Sequence, residues 1–162
     1  MRVTSLLLIA ALAGPLPARA ADDPAVWLSQ LYAQYHRAEK QVDLLKVSAE
    51  EALVPRASRA FAAMLKRDIA CEVKSHEICA IDWDFVVNGQ AWELSKIQVG
   101  ALQPSGERAT VTVKFVNLKS TNDNVYEFVR EDGAWKLNDV VSGQSGRAPI
   151  RISKILRDFK LY

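Results

Sequence analysis

Little in this chain of 162 residues is extreme. Seven glycines and six prolines are too few for collagen-like or low-complexity sequence. Beyond the N-terminus no stretch approaches the roughly 18 consecutive apolar residues of a membrane span, so none is expected. Neither sign of charge prevails, with 21 Lys+Arg against 19 Asp+Glu. Only two histidines are present, and the G-x-S-x-G, Walker, G-x-G-x-x-G and H-E-x-x-H patterns are all lacking. Nucleophile-elbow hydrolases, nucleotide binders of the P-loop or Rossmann kind and hydrolytic zinc enzymes therefore have no residues to rest on, and no cofactor or metal is expected. What is there, 49% hydrophobic and 25% charged residues, is the composition of one ordinary globular domain.

The first twenty residues have a three-part plan. Met1 and Arg2 give a positive start, Val3 to Ala13 is almost wholly apolar, and Gly14, Pro15 and Pro17 break the run before Ala18-Arg19-Ala20. This is the pattern of a secretory signal peptide over residues 1–20, cut near Ala20, with 21–162 as a single domain in the periplasm or outside the cell. The segment carries Arg2 and Arg19 and no acid, so its removal takes two from the 21 basic residues and leaves them equal to the 19 acids. A neutral mature chain does not indicate a nucleic-acid partner.

Cys71 and Cys79 are the only cysteines. In an oxidising compartment the first reading is a disulfide closing a short loop. The alternative is a metal site, because Cys71, Glu72, His76 and Cys79 crowd one segment, although no second cluster completes four ligands. A C-x-x-C redox pair is excluded by the seven residues between them. His36, on the polar margin of a helix, and His76 read as solvated.

Behind Asp23 and Pro24, Trp27, Leu28, Leu31, Tyr32 and Tyr35 recur at spacings of three and four, which predicts an amphipathic helix over 24–40. Ser48-x-x-Glu51 is a capping box, and Phe61, Met64, Leu65 and Ile69 mark a further long helix after Pro55. From Leu94 the period changes to two. Strands are predicted at Leu94 to Leu102, Ala109 to Phe115, Val125 to Arg130 and Ala134 to Val141. Turns are predicted at Pro104-Ser105-Gly106, Thr121-Asn122-Asp123-Asn124 and Asp132-Gly133. After a loop over Gly143 to Pro149, Ile152, Ile155, Leu156 and Phe159 return to helical spacing. The class is α+β: N-terminal helices packed on a curved antiparallel sheet, then a short C-terminal helix.

This order, the exported context and the segment Asp82-Trp83-Asp84-Phe85-Val86-Val87-Asn88-Gly89-Gln90 together resemble the exported bacterial family called domain of unknown function 3828. The family's pattern is approximately D-x-D-P-F, a short gap, then G-Q-D. Asp82, Asp84, Gly89 and Gln90 match it, while Phe85, Val86 and Ala91 stand where the family has Pro, Phe and Asp. The resemblance implies a nuclear transport factor 2-like cone in which helices back a curved sheet around a pocket. It implies no common activity, and such folds commonly dimerise through the open sheet, so a homodimer is a further expectation.

Asp82 and Asp84 are close carboxylates among apolar residues. In an apolar pocket either could act as a general base on a hydrophobic substrate. The plainer reading is that they cap a turn leading into the sheet, and no His, Tyr or second acid is placed to complete an acid/base pair. No catalytic residue is assigned on this ground. Trp83, Asp84, Gln90 and Trp92 are the candidate pocket residues, with Gly89 supplying a left-handed turn. Arg147, Arg151, Lys154, Arg157 and Lys160 form a basic C-terminal face that reads first as a solvated charge run, the alternative being docking onto an acidic partner or an envelope polyanion. The expected function is non-catalytic binding of a small ligand or an envelope protein, through the cone pocket or the sheet face. An Asp82/Asp84 enzyme and an envelope inhibitor or toxin-neutralising protein are the alternatives.

Overall fold

The computed structural model describes residues 23–39 and 48–160; the leader expected at 1–20 lies outside them. Helix α1 spans Pro24–Ala38, capped by the Asp23 carboxylate, which accepts the Ala25 N–H, with Pro24 in the first turn. Beyond Pro24, its buried residues, Leu28, Leu31, Tyr32, Tyr35 and Ala38, are at the three- and four-residue spacing. Helix α2 (Ala49–Leu53) starts with the capping box of Ser48 and Glu51. Pro55 then sits in a short 3-10 turn, and Ser58 caps α3 (Arg59–Ser75) by accepting the Phe61 N–H. Helix α3 ends where His76 turns left-handed at φ 57°.

Six strands follow: β1 (Leu94–Val99), β2 (Gln103–Ser105), β3 (Arg108–Asn117), β4 (Ser120–Glu131), β5 (Ala134–Gln144) and β6 (Ile150–Arg151). All pairings are antiparallel, in the order β1-β3-β4-β5-β6, with β2 also on β3, so the sheet is open. Helix α4 (Ile152–Asp158) closes the described chain. Among the described residues the class is thus α+β, with four α-helices and one antiparallel sheet.

Two predicted turns lie inside strands. The reversal between β3 and β4 falls at Leu118 and Lys119, both at positive φ (52° and 97°), and Thr121 to Asn124 belong to β4. Asparagine is a common turn former, yet Asn122 and Asn124 are buried and hydrogen-bonded, in the alternating register of Tyr126 and Phe128. Likewise Pro104 and Ser105 pair with β3, and the turn itself is Gly106-Glu107; β2 sits where a proline is tolerated because it is an edge. Asp132 and Gly133, at φ 51° and 78°, make the tight hairpin turn that the sequence predicts. The expected loop over Gly143 to Pro149 is shortened because β5 runs on through Gln144, and Ile150 and Arg151 return directly after it as β6.

Helix α1 meets the buried residues of β3 and β4. Tyr32 packs on Phe115 and, edge to face, on Tyr126, with centroids 5.3 and 6.4 Å away, and Trp27 meets Phe128 edge-on. Tyr32, Phe61, Phe85, Phe115, Tyr126 and Leu137 are all essentially without solvent contact and belong to one hydrophobic cluster. Helix α4 is capped from the sheet. Buried Asp139 accepts the Ser153 N–H at 3.0 Å and the Ser153 hydroxyl at 2.5 Å, while Arg151 bridges Asp139 and Glu127, both at 2.7 Å. That guanidinium holds the Glu127 carboxyl below its usual range. Among the described residues no helix is long and apolar enough to cross a membrane.

Candidate functional site

Most of the residues singled out in the sequence lie between α3 and β1. Asp84 and Gly89 exchange backbone N–H···O bonds at 3.2 and 3.1 Å, closing a turn that drives Phe85, Val86 and Val87 into the core. One Asp84 oxygen accepts the N–H groups of Val86 and Val87 at 2.9 and 3.4 Å. The other accepts the Tyr35 hydroxyl at 2.6 Å. Burial raises the Asp84 pKa above the usual carboxylate range, while the Tyr35 hydroxyl and the two backbone donors act against that rise. Burial first, and then the adjacent Asp84 carboxylate, push the Tyr35 phenol well up. Asp84 therefore works here as the cap of a buried turn, with both oxygens engaged.

Around this turn runs a ring of amides and hydroxyls. Asn124 donates to the carbonyls of Phe85 and Val86 at 2.9 and 3.0 Å and to the Tyr32 hydroxyl at 3.2 Å. Tyr32 reaches the Val86 carbonyl at 2.8 Å and the Tyr126 hydroxyl at 3.0 Å. Asn117 donates to the carbonyls of Val87 and Ala91 and accepts the Glu93 N–H. Asn88, held at φ 57°, donates to Asn122, Asn124 and the Gly143 carbonyl and accepts the Ser142 hydroxyl at 2.5 Å. The left-handed residue of the turn is thus Asn88, not Gly89. Gly89 is needed for closeness, since a Cβ there would lie 3.0 Å from the Ala91 carbonyl oxygen and 3.2 Å from Asn117 Nδ2.

Of the candidate pocket residues, Trp83 and Gln90 line one open cavity of about 370 Å³, together with Asp82, Asn88, Ser142 and Arg147. The Gln90 amide is fixed by donating to the Asp82 carbonyl at 2.9 Å. Asp84 and Trp92 are not among its lining residues. Trp92 instead donates its indole N–H to the Tyr35 carbonyl at 3.2 Å and packs on the Tyr35 ring, tying the end of α1 to the approach to β1. The cavity therefore sits over the asparagine ring, with a rigid polar floor, an indole wall and two charged side chains. The Asp82 carboxylate and the Arg147 guanidinium have no ion-pair partner among the described residues.

Cys71 and Cys79 are joined in a disulfide, with Cα atoms 6.1 Å apart, between the last turns of α3 and the chain that follows. The bond removes both thiolates from the zinc alternative. Among the described residues no group of three or more His, Cys, Asp or Glu is arranged to hold a metal. His36 bonds to Glu39 at 3.3 Å, and His76 is the exposed left-handed cap of α3.

Arg147, expected on a basic C-terminal face, lies at this cavity instead, while Arg151 and Lys154 of that face are paired with Glu127, Asp139 and Asp158. The signal of the asparagine ring is the alternation Asn122, Asn124, Tyr126, Phe128, a polar-to-aromatic strand face that the turn-forming preference of asparagine disguises. Comparison with protein-family models, with curated proteins and with solved structures finds no match for this chain.

Proposed function

We propose that this chain is an exported, non-catalytic binding domain whose ligand is a small zwitterion with an apolar body, held in the cavity over the asparagine ring. The observation that carries this reading is the convergence of Trp83, Gln90, Asp82 and Arg147 on one cavity. Arg147 offers a cationic fork to a carboxylate, Asp82 accepts from an ammonium group, and the Trp83 face suits an apolar side chain. A volume of about 370 Å³ admits a molecule of metabolite size. A binding role is favoured over proton-transfer chemistry because Asp84, the acid with the raised pKa, spends both oxygens on Tyr35 and the turn.

The Cys71–Cys79 disulfide is compatible with an oxidising, extracytoplasmic location, which supports export. The helix and strand order supports kinship with the family called domain of unknown function 3828 and its cone-like fold. Tyr32, Phe85, Phe115 and Tyr126 would fill the inside of such a cone, which favours its rim as the binding surface.

Native mass spectrometry of protein purified gently from its source, compared with the denatured mass, tests for a retained ligand. A nuclear magnetic resonance titration of the Trp83 indole N–H with the twenty free amino acids then tests the class. A saturable shift that Arg147→Gln weakens about tenfold is expected. A clean mass together with an indole signal unmoved by every amino acid would sink the proposal.

A further inference from the structure

A further groove shares no residue with the rim cavity. It has a volume of about 860 Å³ and runs between the last turns of α3, the disulfide and the residues that follow α4. At Asp158 and Phe159 it meets a second groove, of about 500 Å³, walled by Ile155, Pro149, Ala80 and Ile150, the last of which also lines the rim cavity. Together they make an extended track whose wall is apolar: Ala70, Ile78, the Cys71–Cys79 bridge and Phe159 on one side of the junction, Ile155 and Ile150 on the other. Ile78 is 68% exposed, Ile150 42% and neighbouring Val73 70%, unusually open for β-branched side chains.

Charge on the rim is one-sided once internal pairs are removed. Asp158 is held by Lys154 at 2.5 Å, and Arg67 donates to the Leu156 carbonyl. The ammonium groups of Lys74 and Lys160 line the first groove without a hydrogen-bond or ion-pair partner among the described residues, against the single free carboxylate of Glu77. A long, largely apolar track with two uncommitted cations on the wall of its first groove is complementary to an apolar chain that carries one anionic group. We propose that the paired grooves bind a single-chain amphiphile with a carboxylate head, such as a free fatty acid. Its chain lies along Ile78, Phe159 and Ile155, and its carboxylate is held by Lys74 and Lys160.

The test is a titration of carboxyl-labelled dodecanoate, kept below its micelle concentration, into the full disulfide-bonded protein. One saturable site is expected, weakened about tenfold by Ile78→Asp and by the Lys74→Gln/Lys160→Gln pair. Both are changes of exposed side chains, so circular dichroism should show an unchanged fold. Trp83→Ala should leave the affinity as it was, which separates this site from the rim cavity. Dodecan-1-ol should bind about tenfold more weakly than dodecanoate.

Absence of saturable dodecanoate binding overturns the proposal, as does equal affinity for the alcohol. Binding to intact phosphatidylglycerol vesicles without binding of the monomer would make the surface a bilayer contact instead. A dimer that Ile78→Asp disperses, with no dodecanoate bound, would make it an interface between copies. Binding seen only in a chain ending at Lys160 would give the groove to Leu161 and Tyr162.

Discussion

The turn from Asp84 to Gly89 and the loop from Cys71 to Cys79 are close in sequence and opposite in construction. In the turn, apolar side chains are buried and the named polar groups have partners within the turn itself or in α1, β3, β4 and β5. In the loop, a covalent bond fixes the chain while Ile78, Val73, Lys74 and Glu77 face water. Among the described residues the single buried side-chain oxygen without a partner, Asp68 Oδ2, is on α3; its other oxygen accepts the Ala80 N–H just after the loop. Groups that are already paired hold a fold together and have little left to offer a ligand. Groups left unpaired at a surface contribute little stability and remain free for recognition. On that comparison the Asp84 turn is scaffold, and the two places where free charge meets apolar wall are the rim cavity and the disulfide groove.

The contrast is broken most severely by removing a centre of the amide ring. Asn124→Ala would take the named donor from the Phe85 carbonyl and one hydrogen bond each from the Val86 carbonyl and the Tyr32 hydroxyl, and should cost about 3 kcal/mol, read from the urea unfolding midpoint. A cost below about 1 kcal/mol would mean that water replaces the amide and that the turn is less closed than its contacts indicate. Next comes the covalent side. Replacing both Cys71 and Cys79 by Ser should cost about 2.5 kcal/mol, the chain-entropy value for so short a loop, seen as a lower melting temperature. If the loss is near zero, the loop is held by its own packing and the bond is redundant for stability.

Asp84→Asn sharpens the comparison inside the turn. The amide keeps one acceptor for the Val86 N–H, so the expected cost is about 1 kcal/mol, that of a lost cap. Its pH dependence is more telling than its size. Burial raises the folded pKa of Asp84, so the folded protein binds this proton more tightly than the unfolded chain does. The contribution of Asp84 to stability is therefore fully present below the ordinary carboxylate range and is lost as pH rises through the raised value. Denaturation between about pH 4 and about pH 8 should show the deficit of the variant shrinking as pH rises. A deficit that grows with pH would mean that the Tyr35 hydroxyl and the backbone donors outweigh burial.

Helices and most strand pairings were legible because each announces itself locally. The Asp23 and Ser48 caps, the three-four spacing of α1 and the Asp132-Gly133 turn all use nearest-neighbour chemistry. Thr121 to Asn124 misled because asparagine serves two purposes, and only the partner side chain decides which. Here Asn88, some thirty residues earlier, holds Asn122 and Asn124 within the strand. Trp83 and Gln90 could be picked out from their setting among apolar residues and a glycine. Arg147 could not, because it reaches the cavity only when β5 and β6 bring the loop between them over the Asp82 segment.

The smallest effect on stability should come from the disulfide loop's exposed tip. Ile78 is 68% exposed, so Ile78→Asp removes little buried area and should change the unfolding free energy by less than about 0.5 kcal/mol. Aspartate also sets a negative charge near Lys74 and Lys160, which by itself would be faintly favourable and weaker at high salt. A stability loss well above that range would mean that Ile78 packs against something when the protein is in solution. The loop would then be a covered surface, and the division between a paired interior turn and a free exterior loop would fail at its outer end.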